Sequence, residues 1–302
     1  MFVLHGLIAF MLSILSLAPF GSASVTPAFI FREMTIWDID AVTTTIVDAF
    51  GPGPTWRYLY QFRKTFPHFH WRCIRENVQN DFLNTDTTVH YNVIVPTNAK
   101  YHEVKSVARW TLMVNHEANS SHSERRRLPA EFRPLAPGSL SPGDEQRLGA
   151  QTQNLMGGSR GRARVKEGAQ NLELPCSLHL DMNIVRALHL SSQVEAAEQK
   201  YIHDMYEYQF YLGALGTHPD WDGHGFGATQ VEWGIEKAKL EEERLSKLEG
   251  RRVRLPVTLL ATPAGYPLYK SLGFESAANI TLELLDNFEG GTAWFEYMRR
   301  FS

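Results

Sequence analysis

Cysteine is nearly absent: the 302 residues hold two, Cys73 and Cys176, too few for a disulfide framework or a cysteine-rich metal site. The fold is therefore expected to stand on packing. An excess of one charge is also missing. Thirty basic residues stand against thirty-three acidic ones, a net charge of −3, which leaves no global field for gripping a polyanion and excludes nucleic acid as an expected partner. The histidines lack H-x-x-x-H or similar ligand spacing, so no metal site is expected. Glycine and proline number only 22 and 15, too few for a collagen-like or low-complexity chain. With 43% hydrophobic and 21% charged residues, what remains is a globular domain with a substantial core.

Long apolar runs are rare, and the one that stands out is terminal. Phe2 to Phe20 is almost unbroken, it leads into Gly21-Ser22-Ala23-Ser24, and the first charged residue is Arg32. Residues 1–27 read either as a signal or membrane anchor or as a plain apolar extension, because the basic start of a secretory signal is absent.

From Phe29 the pattern turns to mixed strands and helices. Phe29 to Met34 reads as a strand, and Trp37 to Phe50 as a helix with Ile39, Val42, Ile46 and Ala49 on one face. A helical stretch from Tyr58 to Phe82 is interrupted at Pro67, and strands follow at His90 to Val95 and Ser106 to Val114. Residues from about 115 to 178 lose all apolar period and are rich in Ser, Gly, Pro and Arg, so a flexible, disordered insertion is expected there. A helix near Asp181 to Asp204, a strand Glu207 to Leu215 and a long helix from Ala228 to about Leu248 come next. Strand Pro256 to Ala261, a short helix Gly265 to Leu272, and strands Phe274 to Leu285 and Thr292 to Arg299 finish an α/β chain with a mixed sheet.

Two motifs carry chemistry. The first is Thr217-His218-Pro219-Asp220-Trp221-Asp222-Gly223-His224-Gly225-Phe226-Gly227-Ala228, set between a strand and a long helix. Backbone N–H groups at a helix start lack intrahelical partners, and glycines let them approach an anion, so the turn suits a pyrophosphate. A dinucleotide fingerprint fails here, since the third glycine comes one residue early and the turn lies late in the chain. The second motif is Thr262-Pro263-Ala264-Gly265-Tyr266-Pro267-Leu268-Tyr269-Lys270-Ser271-Leu272-Gly273-Phe274, directly after a buried-looking strand.

In order and spacing the two motifs together resemble those of the GNAT N-acetyltransferases, over roughly Phe29 to Arg299 minus the insertion. That family carries Q/R-x-x-G-x-G/A on its central strand–helix unit and L-Y-x-x-x-G-F on the next. The resemblance implies a mixed β-sheet flanked by helices over residues 28–301, splayed at the strand Glu207 to Leu215. It implies acetyl-CoA as cosubstrate and a primary amine of unknown identity, on a small molecule or a protein, as acceptor. Leu215, Gly216 and Thr217 would line the wedge, Gly223, His224, Gly225, Phe226, Gly227 and Ala228 would meet the pyrophosphate, and Thr262 and Gly265 would border the cofactor. Asp222 occupies the family's Q/R position, an anion beside an expected anion; its carboxylate should turn away or cap the helix.

Tyr269 stands at the family's general-acid position, where a phenol can deliver a proton to the departing thiolate. His218, beside the turn, is the candidate base, with a water chain as the alternative; relatives that use a base often place a carboxylate on the central strand, but here Glu207 sits at its beginning and Tyr211 nearer its middle. The acceptor should lie over Phe50 to Trp56, walled by Trp37, Trp56 and Tyr58. A coenzyme A-binding or protein-interaction module without catalysis is the alternative on the same fold. Because acetyl-CoA is an intracellular metabolite, the cytoplasm is the expected location, a membrane tether or the secretory pathway being the alternative.

Overall fold

A computed structural model describes residues 28–84, 88–97, 103–115, 174–203 and 205–301. Residues 1–27, read as a signal or anchor, and residues 116–173, the body of the expected insertion, lie outside the described residues. Among the described residues no helix is long and apolar enough to cross a membrane.

The elements run β1 (Phe29–Glu33), α1 (Ile39–Phe50), α2 (Pro54–Leu59), α3 (Pro67–Leu83), β2 (Thr88–Pro96), β3 (Ser106–Val114), α4 (Ile184–Glu198), β4 (Tyr208–Thr217), α5 (Phe226–Glu249), β5 (Val257–Ala261), α6 (Tyr266–Ser271), β6 (Glu275–Glu283) and β7 (Thr292–Arg300). Prolines open α2 and α3, where a missing N–H costs nothing. Gly250, at φ +63°, stops α5 in the left-handed conformation that other residues avoid. A five-residue π-turn, Gln199–His203, follows α4 where the sequence had read continuous helix.

Seven strands form one sheet in the order β1-β2-β3-β4-β5-β7-β6. Only β4 and β5 are parallel, so the sheet is mixed as expected. One face, with Trp110, Phe210, Leu212, Val257, Leu259 and Met298, packs on α5 and α6. The other carries α1 and α3 over β1–β3 and α4 over the C-terminal strands. Trp110 is fully buried and stacks on Phe210 at 5.1 Å between centroids. Its indole fits only because α5 has Gly234 opposite, where a Cβ would lie 2.1 Å from the ring.

Two readings need correction. Cys73 in α3 and Cys176 form a disulfide, with Cα atoms 5.4 Å apart across 103 residues of sequence. Two cysteines make no framework, but they do make one bond, so the fold does not stand on packing alone. The insertion also ends earlier than residue 178: Cys176–Leu178 is a 3₁₀ turn fastened to α3 by that bond.

Two measurements check this description. Gly234→Ala drives a methyl into a rigid, buried indole, and overpacking of about 1–3 kcal/mol outweighs the roughly 1 kcal/mol that alanine gains over glycine inside a helix. The melting temperature should fall; an unchanged value would remove the claimed contact. Asp38 is fully buried, takes both Arg32 nitrogens at 2.7 and 2.8 Å and accepts the Thr35 N–H and O–H. Burial opposes its ionisation, but these bonds outweigh it and hold the carboxyl at about 2. Its stabilisation is therefore complete above the ordinary carboxylate range and fades as pH falls from about 4 towards 2. The stability gap between wild type and Asp38→Asn should narrow over that window and stay constant above it, as acid titration of both forms will test.

Candidate active site

The site begins with a mismatch between neighbouring strands. β4 pairs with β3 over its whole length, from Tyr208 opposite Val114 to Thr217 opposite Ser106. It pairs with β5 only at Phe210–Val257, Tyr211–Thr258 and Leu212–Leu259. Beyond Leu212 the two parallel strands part. The divergence coincides with a bulge: Trp110 faces Leu212 and Arg109 faces Ala214, which leaves Gly213 as the extra residue. Gly213 shares a face with Arg109 and Tyr211, since a Cβ on it would sit 2.8 Å from Arg109 Nη1 and 3.7 Å from Tyr211 Cε1. The bulge thus turns backbone towards the gap, and glycine makes room for the guanidinium.

Leu215, Gly216 and Thr217 continue along this unpaired edge. Gly216 lies against α1, its Cβ position 3.1 Å from Ala49 and 3.3 Å from Phe50. Thr217 donates to Ser106, whose hydroxyl reaches the Gly216 carbonyl. His218 ends the strand, its Nε2 3.4 Å from Asp48 and its Nδ1 3.7 Å from Asp220. Five residues past Gly213, it stands roughly 16 Å from the divergence along extended chain.

The glycine turn is more open than the sequence implied. Gly223 and Gly225 adopt φ of +78° and +79°, and a Cβ at either would touch nothing within 4 Å. Glycine is needed there for conformation, not for space. Gly225 is the N-cap of α5, so Phe226, Gly227 and Ala228 form its first turn, and the first helical bond runs from Thr229 to Gly225. The three preceding N–H groups are therefore without intrahelical acceptors. Asp222, Gly223, His224 and Gly225 are exposed. Asp222 is no cap, because that position belongs to Gly225 with no capping side chain. His224 Nδ1 instead meets the carbonyls of Trp221 and Asp222, both at 3.1 Å. Lys105, 5.4 Å from the Trp221 ring centroid, brings a cation to the turn. Gly227 brings the two motifs together: its Cβ position lies 3.0 Å from Leu268 and 3.9 Å from Leu215.

Thr262 and Gly265 form the tight turn between β5 and α6, with Gly265 N–H bonded to the Thr262 carbonyl at 3.0 Å. Gly265 has no Cβ because Tyr269 Cε2 would be 2.9 Å from it. Tyr269 itself is 7% exposed and packs edge-on to Phe274. Burial alone pushes its phenol far up, so it holds its proton at any working pH. Tyr211, across the divergence, is also pushed up, by burial first and then by the Glu198 charge, with Tyr269 and Tyr297 adding to it.

Three groups here escaped the sequence reading. Glu198 ends α4, and burial followed by the Glu195 charge raises its carboxyl. Arg109 makes a two-pronged bond to Asp81 at 2.5 and 2.8 Å; burial opposes its charge, but Asp81 keeps it firmly protonated. Asp81 lies on α3, far from β4 in sequence, whereas Glu198 ends the helix that precedes β4; no local motif marks either. Glu207, by contrast, is bonded to Arg251 at 2.5 Å at the start of the strand.

The expected acceptor walls divide. Trp56 stacks on Phe50 at 5.8 Å beside the Gly51–Gly53 bend. Tyr58 is a core residue, fully buried with its hydroxyl accepting the Leu285 N–H. Trp37 is 74% exposed at the opposite end of α1, and a 12-residue helix separates it from Phe50 by about 18 Å. Among the described residues there is no group of three His, Cys, Asp or Glu side chains able to hold a metal.

Gly225→Val tests the turn. Strain of about 1–2 kcal/mol at φ above zero would shift the first N–H groups of α5, and coenzyme A affinity should fall by about tenfold or more. Calorimetric titration of the folded variant decides, and unchanged affinity would sink the phosphate assignment.

No protein-family model and no curated protein matches the chain. Solved structures similar to it include an agmatine N-acetyltransferase mutant, at 11% identity and TM-score 0.42, with 91% of this chain and 99% of that one covered. An acetyltransferase from Corynebacterium glutamicum related to the histone acetyltransferase HPA2 gives 15%, 0.44, 90% and 95%. The polyamine N-acetyltransferase of Drosophila melanogaster gives 12%, 0.43, 91% and 98%. At this level the likeness carries no argument about what this chain acts on. The mixed seven-stranded sheet flanked by helices, open beyond Leu212 on β4 and led by glycine into α5, is the GNAT-like fold that the resemblance in sequence implied.

Proposed function

We propose that this protein transfers an acetyl or other short acyl group from its coenzyme A thioester to a primary amine. The observation that carries the reading is the gap between β4 and β5 beyond Leu212–Leu259, with unbonded N–H groups of α5 at its mouth and Tyr269 beside its apex. The residues fit the cosubstrate. An unpaired strand edge suits an amide-bearing arm that adds like a strand, and open space around Gly223 and Gly225 leaves their backbone accessible to phosphate. Leu215, Gly216 and Thr217 would border the arm. Lys105 would supply the positive charge that Asp222 does not.

When bound, the thioester supplies an activated acyl carbon. The chain's own groups then divide the proton work. A neutral amine nitrogen forms the new C–N bond as the C–S bond breaks, the ammonium proton leaves to a base, and Tyr269 Oη gives its proton to the sulfur. Glu198 is the better base, because its carboxyl, raised by burial and then by the Glu195 charge, is more basic than an ordinary glutamate and its charge acts on Tyr211 of the central strand. On this reading His218, held between Asp48 and Asp220, serves the phosphate end of the gap instead. Because acyl-coenzyme A is an intracellular metabolite, the cytoplasm is the favoured location, a membrane tether or the secretory pathway being the alternative.

Thiol release from acetyl-CoA over a panel of amines separates the enzyme from a silent coenzyme A-binding module, which would bind and release nothing. Tyr269→Phe keeps the ring and removes the proton, so kcat should drop about 10²-fold or more with coenzyme A affinity little changed. Glu198→Gln should lower kcat at neutral pH in the same way. Wild-type kcat in either variant would refute the role given to that residue.

A further inference from the structure

The ten residues Leu174 to Asn183 lie across α2 and α3 and are tied down at every few positions. Arg72 donates to the Leu174 carbonyl, and Cys176 is bonded to Cys73. Asp181 Oδ2 lies 2.6 Å from His70 Nδ1, both side chains being 4% exposed, while the Asp181 carbonyl accepts the Phe62 N–H at 3.0 Å. Asn183 donates its N–H to the Leu59 carbonyl at 3.0 Å and its amide to Gln61 at 2.8 Å. One end of this strap leads back into the long connection from β3, so the disulfide is the covalent point that fixes it there.

The strap reaches the acceptor side of the gap through a chain of contacts. His70 Nε2 lies 3.3 Å from Trp56 Nε1. An indole N–H can only donate, so Nε2 accepts and Nδ1–H points to Asp181. Trp56 stacks on Phe50, and Phe50 rests against Gly216 on the unpaired edge of β4. The phosphate end of the gap, on the glycine turn and α5, shares none of these contacts.

We propose that the Cys73–Cys176 disulfide is a redox-controlled staple that positions Trp56 and Phe50, the wall of the amine subsite, through Asp181 and His70. The proposal rests on the acyl-transfer reading for its kinetic consequence. With the staple closed the wall is held, and with it open the strap loosens and the amine binds less well, while coenzyme A binding is unaffected. Opening needs a dithiol. Its thiolate attacks Sγ of Cys176, the less buried of the two cysteines, the S–S bond breaks to release the Cys73 thiolate, and the second thiol of the reagent closes its own disulfide and frees Cys176. Two electrons pass to the protein, and the two protons of the reagent end on the two cysteines. An oxidising compartment keeps the staple shut, and the reducing cytosol opens it.

The test uses the full chain with and without dithiothreitol. Mass after iodoacetamide should show no alkylated cysteine before reduction and two after it. On reduction the KM for a turned-over amine should rise fivefold or more, the coenzyme A dissociation constant should stay within twofold, and reoxidation should restore the first value. Cys73→Ser/Cys176→Ser should show the reduced behaviour and ignore the reagent. A second readout needs no turnover: iodide quenching of tryptophan emission should increase on reduction in wild type and not in Trp56→Phe. If that response is present but no amine is ever acetylated, only the acyl-transfer reading fails. Two alkylatable thiols before reduction, an absent Trp56 response, or an equal loss of coenzyme A and amine affinity would each overturn the staple.

Discussion

Everything functional in this molecule depends on a strand with two unequal neighbours. β4 is bonded to β3 along its full length, whereas β5, paired with β7 throughout on its other edge, meets β4 for only three residue pairs. A sheet cannot leave backbone groups unpaired in its middle without a compensating partner or solvent. The open edge from Gly213 to Thr217 is therefore both a cost to the fold and the feature that makes a ligand site. The bulge at Gly213 sets where the edge begins, and Arg109, neutralised by Asp81, fills the space that a larger residue would take.

The two faces of the sheet then assign the two ends of the site. On one face α5 is pressed close by Gly234 against Trp110 and by Gly227 against Leu268 and Leu215, which fixes its N-terminus beside the open edge. Left-handed Gly223 and Gly225 give that N-terminus its exposed turn, and Lys105, paired with Glu103 at 2.7 Å, lies over the Trp221 ring beside it. On the other face α1, α2 and α4 bring aromatic rings and the raised carboxyl of Glu198 towards the apex. Tyr269 on the first face and Tyr211 on the second are each held neutral because burial disfavours a phenolate.

Cross-linking has a local meaning here. A single disulfide in a chain with this much core is not required to make the fold viable in the way that it is in very small domains. Its position beside the buried His70–Asp181 pair makes it a determinant of one corner, the corner carrying Trp56. Counting cysteines answers whether a framework is possible. It does not answer whether two of them meet.

Periodicity and punctuation determined a great deal about this protein by themselves. Every strand of the sheet and the helices α1, α3, α5 and α6 lie where alternation, prolines and glycines put them, since these signals are local and physical at each position. The glycine turn and Tyr269 were legible for the same reason: each lies in a short run whose spacing carries its meaning. Tertiary structure alone decided what depends on distant partners. The turn's register moved by two residues because helix geometry begins at Gly225, and Tyr58 went to the core because the Leu285 N–H and Phe288 surround it. Arg109 with Asp81, Lys105 over Trp221 and the Cys73–Cys176 bond have no mark in their own segments, because their partners are brought by chain folding from tens of residues away, and Glu198 has none because its raised carboxyl comes first from burial.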